Sequence, residues 1–209
     1  IVCGLLIYFP NFSFVSFSER VKELLKILPN ILHEKVPYGQ SDKDNVEIKK
    51  WGKIKKFNFP VKNHVDILEA LGAVDFDASA RATGHGFYYL KGDFALLNQA
   101  LIHFVLDHMK KKKYIYIEPP LLLKKDILFG GIDKKAFEQS IYCIEGEDTC
   151  LIGTSEFSLL GMYTDRIIDD LPKKYFSYTM CFRKEVGAHG LNERGLWRTH
   201  QFNKVEQFI

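Results

Sequence analysis

The chain has 209 residues, of which 46% are hydrophobic and 26% charged, a balance that fits a globular domain with its own core. Its 29 basic and 26 acidic side chains give a net charge of +3, which permits a polyanionic partner without demanding one. The apolar stretch over residues 1–17 is interrupted by Pro10 and Asn11 before it reaches the length of a bilayer span, so we predict neither a membrane anchor nor a signal peptide. The four cysteines form no Cys-x-x-Cys pair, and we expect reduced thiols in an intracellular protein. The chain begins without Met and its last residues continue a strand pattern, so we expect it to be part of a longer protein.

Helical periodicity is the main signal in the first part of the chain. Apolar residues recur at helical spacing from Glu19 to Leu28, which predicts a helix that Pro29 ends. A polar, turn-rich linker follows over residues 36–45. We then predict a helix over 63–71, a helix over 75–83 capped by Asp75, and a strand over 87–91.

The strongest helical pattern begins at Asp93, which we predict as its N-cap. Its apolar residues form one stripe at positions 94, 97, 101, 104, 105 and 108 or 109, and lysines 110–113 lie at its C-terminal end, where the helix dipole favours cations. Beyond this helix we predict a strand over 114–117, a helix over 124–129, and short strands over 141–144 and 150–152.

Two later strands form a predicted hairpin with one polar face on each strand. In the strand over 175–185, the residues that share this face are Ser177, Thr179, Cys181, Arg183 and Glu185. In the strand over 198–209, they are Arg198, His200, Phe202, Lys204 and Glu206. The connection over 186–197 is long and rich in glycine, which is typical of a functional loop.

The polar face of this hairpin is open to two interpretations. Alternating charges on a half-exposed sheet commonly serve solubility alone, and this alternative stands for each residue taken singly. Together, the guanidinium groups suit phosphate oxygens and the Phe ring suits a base, which favours a nucleotide site. The sequence contains neither a P-loop nor a dinucleotide-binding glycine motif, so neither of those folds is predicted.

The hairpin also resembles motif 2 of the class II aminoacyl-tRNA synthetases, in the form found in seryl-tRNA synthetases. The resemblance rests on CFRKE at 181–185 and GLWRTHQFNKVE at 195–206, and it extends over roughly residues 20–209. Residues 28–52 resemble the return of the family's coiled-coil arm, and residues 66–77 resemble the approach to its catalytic core. Residues 116–121, with Pro119, resemble the dimer-forming motif 1. Residues 154–156 (TSE) resemble the Thr-x-Glu loop that binds serine.

The resemblance implies how ATP would be bound. Arg183 would be the catalytic residue, in contact with the α-phosphate and with the serine carboxylate. Glu185 would hold the nucleotide, Arg198 would contact the phosphate tail, and Phe202 would stack on adenine.

The resemblance implies roles around serine and tRNA as well. Thr154 and Glu156 would line the serine pocket together with Arg183, with Glu156 facing the ammonium group and Glu206 facing the hydroxyl. Arg194, in the loop, would meet the acceptor end of the tRNA.

At the level of the whole protein, the resemblance implies an α+β catalytic domain with a mostly antiparallel sheet flanked by helices. Residues 1–35 would be a remnant of the N-terminal region with one helix, and residues 36–209 a partial catalytic domain. The implied reaction uses ATP and Mg²⁺ to convert L-serine to seryl-adenylate and transfers the seryl group to tRNA(Ser). A cytoplasmic homodimer with no membrane association is the implied form.

Some features of the family are not matched in this sequence. These are the tRNA-binding arm, motif 3 and the acidic metal ligand before it, so no metal site is predicted within these residues and the chain alone is expected to be inactive. Residues 1–18 do not resemble the tRNA-binding arm, since they have no heptads and few charges. Two alternatives stay open: a noncatalytic paralogue that acts as a binding or dimerisation module, and a ligase that loads an amino acid onto a carrier protein.

Overall fold

A computed structural model describes residues 14–28, 31–184 and 198–209. Its α-helices and β-strands are interspersed along the chain. The helices are α1 (Phe14–Leu25), α2 (His64–Ala70), α3 (Phe76–Thr83), α4 (Gly92–Lys111), α5 (Lys125–Phe129), α6 (Lys134–Ser140) and α7 (Ser155–Gly161).

The strands form small sheets that are mostly antiparallel. They are β1 (Val74–Asp75), β2 (Tyr89–Leu90), β3 (Ile115–Tyr116), β4 (Leu122–Lys124), β5 (Thr149–Leu151), β6 (Tyr175–Phe182) and β7 (Gln201–Phe208). β1 pairs with β2 and β4 with β5, both antiparallel, while β3, β6 and β7 form a three-stranded sheet with β6 in the centre. β6 is parallel to β3 and antiparallel to β7. The predicted α+β architecture is therefore present in the described part of the chain.

Side-chain caps explain where several helices begin. The side chains of Asn63 and Asp75 accept hydrogen bonds from amides in the first turns of α2 and α3, as predicted for Asp75. Gly84 ends α3 with φ of 86°, a left-handed value that favours glycine. The sequence prediction missed α6, although Asp133 caps it by accepting from the Ala136 amide and so carried a usable signal.

The predicted start of the long helix was wrong, and its predicted apolar stripe was right only in part, since Met109 is buried and other members are exposed. α4 begins at Gly92 after the cap residue Lys91, so Asp93 lies in the first turn and makes no side-chain cap. The buried residues of α4 are Ile102 and Met109, whereas Leu101 and Phe104 from the predicted stripe are 60% and 67% exposed. α4 carries apolar residues on more than one side, and the sequence does not determine which side packs on β6 and β7.

Other predicted elements differ in their bounds. α1 starts at Phe14 and ends at Leu25, so the helix begins before the predicted start at Glu19 and ends before Leu28. The strand predicted over 87–91 is reduced to β2, and the one over 141–144 to an isolated bridge between Cys143 and Cys150. The strand β4 and the helix α7 were not predicted.

The expectation of reduced cysteines was also wrong for one pair. A disulfide joins Cys143 to Cys150, whose Cα atoms are 3.9 Å apart. The two residues face each other across an antiparallel bridge, which the search for Cys-x-x-Cys spacing could not detect. Cys181 is a free, buried thiol, and Cys3 lies outside the described residues.

The core beside the hairpin is built by the middle of the chain. Leu128, Phe137, Ile141, Cys150 and Phe157 form one buried apolar cluster from α5, α6, β5 and α7. α7 in turn lies against β6 and β7. The packing of α7 fixes the position of its first residue, Ser155, and of the two residues that precede it, Gly153 and Thr154, relative to the hairpin.

Candidate active site

The register of the hairpin confirms the predicted polar face. Across β6 and β7, Ser177 is opposite Glu206, Thr179 is opposite Lys204, and Cys181 is opposite Phe202. Residues directly opposite in an antiparallel pair project to the same side of the sheet.

The β6 half of this face is not half-exposed, as the sequence interpretation assumed. Ser177, Thr179 and Cys181 are all buried. Solubility alone therefore does not account for the polar residues of β6, because water does not reach them.

Glu206 is the centre of a dense hydrogen-bond cluster. Its Oε2 atom accepts from the Thr154 hydroxyl at 2.6 Å, from the Ser155 hydroxyl at 2.7 Å and from the Ser155 amide at 3.1 Å. Its Oε1 atom lies 2.5 Å from the ammonium nitrogen of Lys204. Four donors on three residues therefore fix the position of one carboxylate.

Burial and donors act in opposite directions on the pKa of Glu206. Burial alone would raise this pKa, because it disfavours the charged form. The hydrogen bonds from Lys204, Thr154 and Ser155, together with the Lys204 charge, outweigh that effect and hold the pKa below its usual range. The carboxylate is ionised at neutral pH and can only accept hydrogen bonds.

The Thr154 hydroxyl is fully engaged in this cluster. Besides donating to Glu206, its oxygen accepts from the Lys204 ammonium at 3.1 Å and from the Glu156 amide at 3.4 Å. The last contact is also the side-chain cap of α7. The start of this helix and the carboxylate cluster are thus held by the same atom.

Arg183 lies next to this cluster. Its Nε atom donates to the Gly153 carbonyl at 3.0 Å, one residue before Thr154. Its guanidinium group lies 5.3 Å from the centre of the Phe202 ring, within the range of a cation–π contact. A positive group and an aromatic face are therefore adjacent on the same side of the hairpin as Glu206.

The main chain of Arg183 is held from the other side by His200. The Arg183 amide donates to the His200 carbonyl at 3.0 Å, and the His200 Nδ1 atom lies 3.1 Å from the Arg183 carbonyl oxygen and 2.5 Å from the Tyr142 hydroxyl. Burial raises the pKa of Tyr142, so its hydroxyl stays protonated at neutral pH. His200 and Tyr142 are thus positioning residues for Arg183.

The remaining predicted site residues are not joined to the cluster in the same way. Glu156 is exposed in the first turn of α7, and within the described part of the chain it contacts the cluster through its backbone amide rather than its carboxylate. Arg198 is exposed just before β7. Glu185 and Arg194 lie outside the described residues, so their predicted roles stay predictions.

Sequence reasoning missed Ser155, Lys204, Tyr142 and His200 as site residues. Ser155 lies within the Thr-x-Glu match and Lys204 within the strand alternation, so the available signal was their adjacency to predicted residues. Tyr142 carried no such signal, because its contact with His200 joins residues 58 positions apart.

Within residues 14–28, 31–184 and 198–209, no group of three or more His, Cys, Asp or Glu side chains is placed to hold a metal ion. In that same part of the chain, none of the helices combines the length and the apolar character needed to cross a membrane.

Comparison with known proteins supports the family resemblance. The family described as the class II core domain of the tRNA synthetases for G, H, P, S and T matches residues 137–209, which include α7 and the whole hairpin. A serine–tRNA ligase from Nitrosopumilus maritimus is 44% identical over 194 residues, covering 92% of this chain and 46% of that protein. The chain belongs to the class II aminoacyl-tRNA synthetases. It spans about half the length of the curated synthetases that it matches.

Solved synthetase structures show the same fold. The seryl-tRNA synthetase from Pyrococcus horikoshii, complexed with ATP, superposes with a TM-score of 0.87 at 37% identity over 92% of this chain and 48% of that one. A cytoplasmic serine–tRNA ligase from Naegleria fowleri, in complex with AMP, gives a TM-score of 0.81 at 33% identity over 92% of this chain and 47% of that one. The predicted class II synthetase fold is confirmed.

Proposed function

We propose that the full-length protein containing this chain is a serine–tRNA ligase, which activates L-serine with ATP to seryl-adenylate and transfers the seryl group to tRNA(Ser). The observation that carries the proposal is the Glu206 cluster, a small polar site with a fixed, ionised carboxylate. Two further findings support the same reaction: relatives of this chain are named serine–tRNA ligase, and two similar synthetase structures are complexes with ATP and with AMP.

The residue types suit the activation step. The carboxylate of serine is already a nucleophile and needs no protein base to attack the α-phosphorus of ATP. The protein must align the reactants and supply positive charge where negative charge develops on phosphorus. Arg183 is suited to this, because Gly153 and His200 fix its side chain and main chain beside the Glu206 cluster. Phe202 presents an aromatic face on which adenine can stack.

The proposed roles of the other residues follow the family resemblance. Thr154, Glu156 and Glu206 would surround the serine ammonium and hydroxyl groups, while Glu185 and Arg198 would hold the nucleotide. Mg²⁺ would bind the phosphate chain of ATP. Arg194 would contact the acceptor end of the tRNA.

We further propose that the full-length protein is a homodimer that uses α4 and β3. Leu97, Leu101 and Phe104 leave an apolar face of α4 exposed, and β3 lies at an edge of its sheet with Ile115 59% exposed. Exposed apolar patches of this kind mark protein interfaces. Residues 116–121, which resemble motif 1, begin within β3.

Two assignments at the level of the chain complete the proposal. The division at residue 35 would separate an N-terminal region from the catalytic domain. The Lys134 ammonium nitrogen of α6 lies 3.7 Å from a carboxylate oxygen of Glu23 in α1, and this ion pair supports a direct contact between the two parts. We propose a cytoplasmic location on the family resemblance alone.

Serine-dependent ATP–pyrophosphate exchange by the full-length protein, measured with and without charging of tRNA(Ser), tests the function. Exchange together with charging is expected. Exchange without charging would favour a ligase for a carrier protein, and no exchange would favour a noncatalytic paralogue. Arg183→Ala should abolish exchange, and near-normal exchange in that variant would refute the role of Arg183.

A further inference from the structure

We infer that Lys204 is a specificity-determining residue, which together with Glu206 binds a substrate hydroxyl from both its acceptor and its donor side. The inference rests on the proposed activation of serine and adds to it a residue with no assigned role. The ground for the inference is the hydrogen-bonding capacity that Lys204 and Glu206 retain after their contacts within the cluster.

One oxygen of Glu206 is already saturated. Oε2 accepts from Thr154 and twice from Ser155, which already exceeds the roughly two lone-pair sites of one carboxylate oxygen. Among the described residues, Oε1 accepts only from Lys204, so it retains capacity for another donor.

The Thr154 hydroxyl offers nothing further. A hydroxyl has one proton and two lone pairs. Thr154 gives its proton to Glu206 and accepts from Lys204 and from the Glu156 amide. A ligand could bond to this hydroxyl only by displacing one of those partners.

Lys204 has a donor to spare. An ammonium group carries three protons, and Lys204 directs two of them to Glu206 Oε1 and to the Thr154 hydroxyl. The unused N–H and the unused acceptor capacity of Oε1 therefore lie on neighbouring atoms, 2.5 Å apart.

A hydroxyl is the group that matches this pair. Its single oxygen both donates and accepts, so an oxygen about 2.8 Å from both atoms can donate to Oε1 and accept from Lys204. An ammonium group could satisfy only Glu206 and would be repelled by Lys204. A methyl group would satisfy neither.

The surroundings strengthen this selection. The Lys204 and Glu206 side chains are 30% and 16% exposed, and Thr179 and Ser177 beneath them are buried. Hydrogen bonds in which one partner is charged are roughly twice as strong as neutral ones. A site that hydrogen-bonds a hydroxyl rejects analogues without it, because its own polar groups would be left unpaired.

The test compares serine with alanine in the full-length protein. In Lys204→Met, kcat/KM for serine in ATP–pyrophosphate exchange should fall by about 10- to 150-fold, the range for loss of a hydrogen bond to a charged group. The corresponding value for alanine, which has no hydroxyl, should change by less than about threefold. Lys174→Met is the matched control, because Lys174 is an exposed lysine just before β6 and should leave both values unchanged.

A gain of activity provides a second measurement. 2,3-Diaminopropionate carries an ammonium group where serine has its hydroxyl, so Lys204 should repel it in the unaltered protein. In Lys204→Met its efficiency relative to serine should rise at least about tenfold. If Lys204→Met does not fold, Lys204→Gln serves, because it also removes the positive charge and should show the same gain.

Equal losses for serine and alanine would assign Lys204 a structural role and overturn the inference. An unchanged preference for serine over alanine and over 2,3-diaminopropionate would overturn it as well. Failure of the proposed function is distinguishable from both outcomes, because the unaltered protein would then show no serine-dependent exchange.

Discussion

Replacement of Ser155 by Ala isolates one of the bonds that position Glu206. The Ser155 side chain is fully buried, and its hydroxyl donates to Oε2 at 2.7 Å. The substitution removes this donor and leaves the backbone amide of the same residue, which also donates to Oε2, in place.

The expected effect on serine binding is moderate. A hydrogen bond to a charged group contributes about 1.5–3 kcal/mol, and loss of one donor lies at the lower end because Thr154, Lys204 and the Ser155 amide still hold the carboxylate. A free-energy change of about 1.5 kcal/mol corresponds to a rise of about tenfold in KM for serine. The KM for ATP should change little, because Ser155 contacts Glu206 rather than Arg183 or Phe202.

The chain offers a matched control in the same helix. Ser158 is also buried in α7, but its hydroxyl donates to the Pro120 carbonyl at 2.9 Å and does not contact Glu206. Ser158→Ala should lower the free energy of unfolding by about 1 kcal/mol, the typical value for a neutral hydrogen bond, without raising KM for serine.

The assay is ATP–pyrophosphate exchange at varied serine concentration, with thermal denaturation of both variants alongside. If Ser155→Ala loses stability but keeps its KM for serine within about twofold of the unaltered protein, as expected for Ser158→Ala, the bond does not position Glu206 for substrate. That result would refute the reasoning.

Further predictions concern pH, thiol reactivity and assembly. Because the pKa of Glu206 is held low, the stability that its ionised form contributes is present above its ordinary value of about 4.3 and is lost only as pH falls through the lower folded pKa. In a plot of log kcat/KM for serine against pH, the acid limb from Glu206 should therefore lie well below neutrality. Lys204→Met removes a group that lowers the pKa of Glu206, so it should shift this acid limb to higher pH, and an unshifted limb would contradict the prediction. Burial raises the pKa of the Cys181 thiol, so iodoacetamide should label it only after unfolding, as mass spectrometry can show; labelling of the native protein would refute its burial. Leu101→Glu should convert the proposed dimer to a monomer in light scattering, and an unchanged mass would place the interface elsewhere.

The hairpin was predictable because its signal is local. Alternation along 175–182 and 201–208 depends only on the strand period of two, and the observed register places Thr179 and Lys204 on one face as expected. Caps such as Asp75 are equally local, since the side chain bonds to an amide three residues later.

The Glu206 cluster was less accessible to sequence reasoning. Its donors come from residues 154 and 155, and their approach to β7 depends on how α7 packs against the sheet. Without that packing, neither the saturation of Oε2 nor the position of Lys204 follows from the sequence. The family resemblance supplied Thr154 and Glu206, but not the bond between them.

Apolar positions were misassigned for a different reason. α4 carries Leu101 and Ile102 side by side, and helical spacing allows either to belong to the buried stripe. Only the location of the sheet shows that Ile102 is buried and Leu101 is not. The bridge that joins Cys143 and Cys150 likewise depends on strand pairing, which spacing rules for metal or redox motifs do not describe.

The bond from the Ser155 amide to Glu206 also has a consequence for folding. It joins residues 51 positions apart, whereas the amides within a helix bond to neighbours four residues away. Contacts between distant parts of a chain require the intervening segment to be closed into a loop first, which makes them late and slow to form. Hydrogen exchange at the Ser155 amide should therefore slow only when α7 has docked on β7, so this single proton reports whether the pocket has assembled.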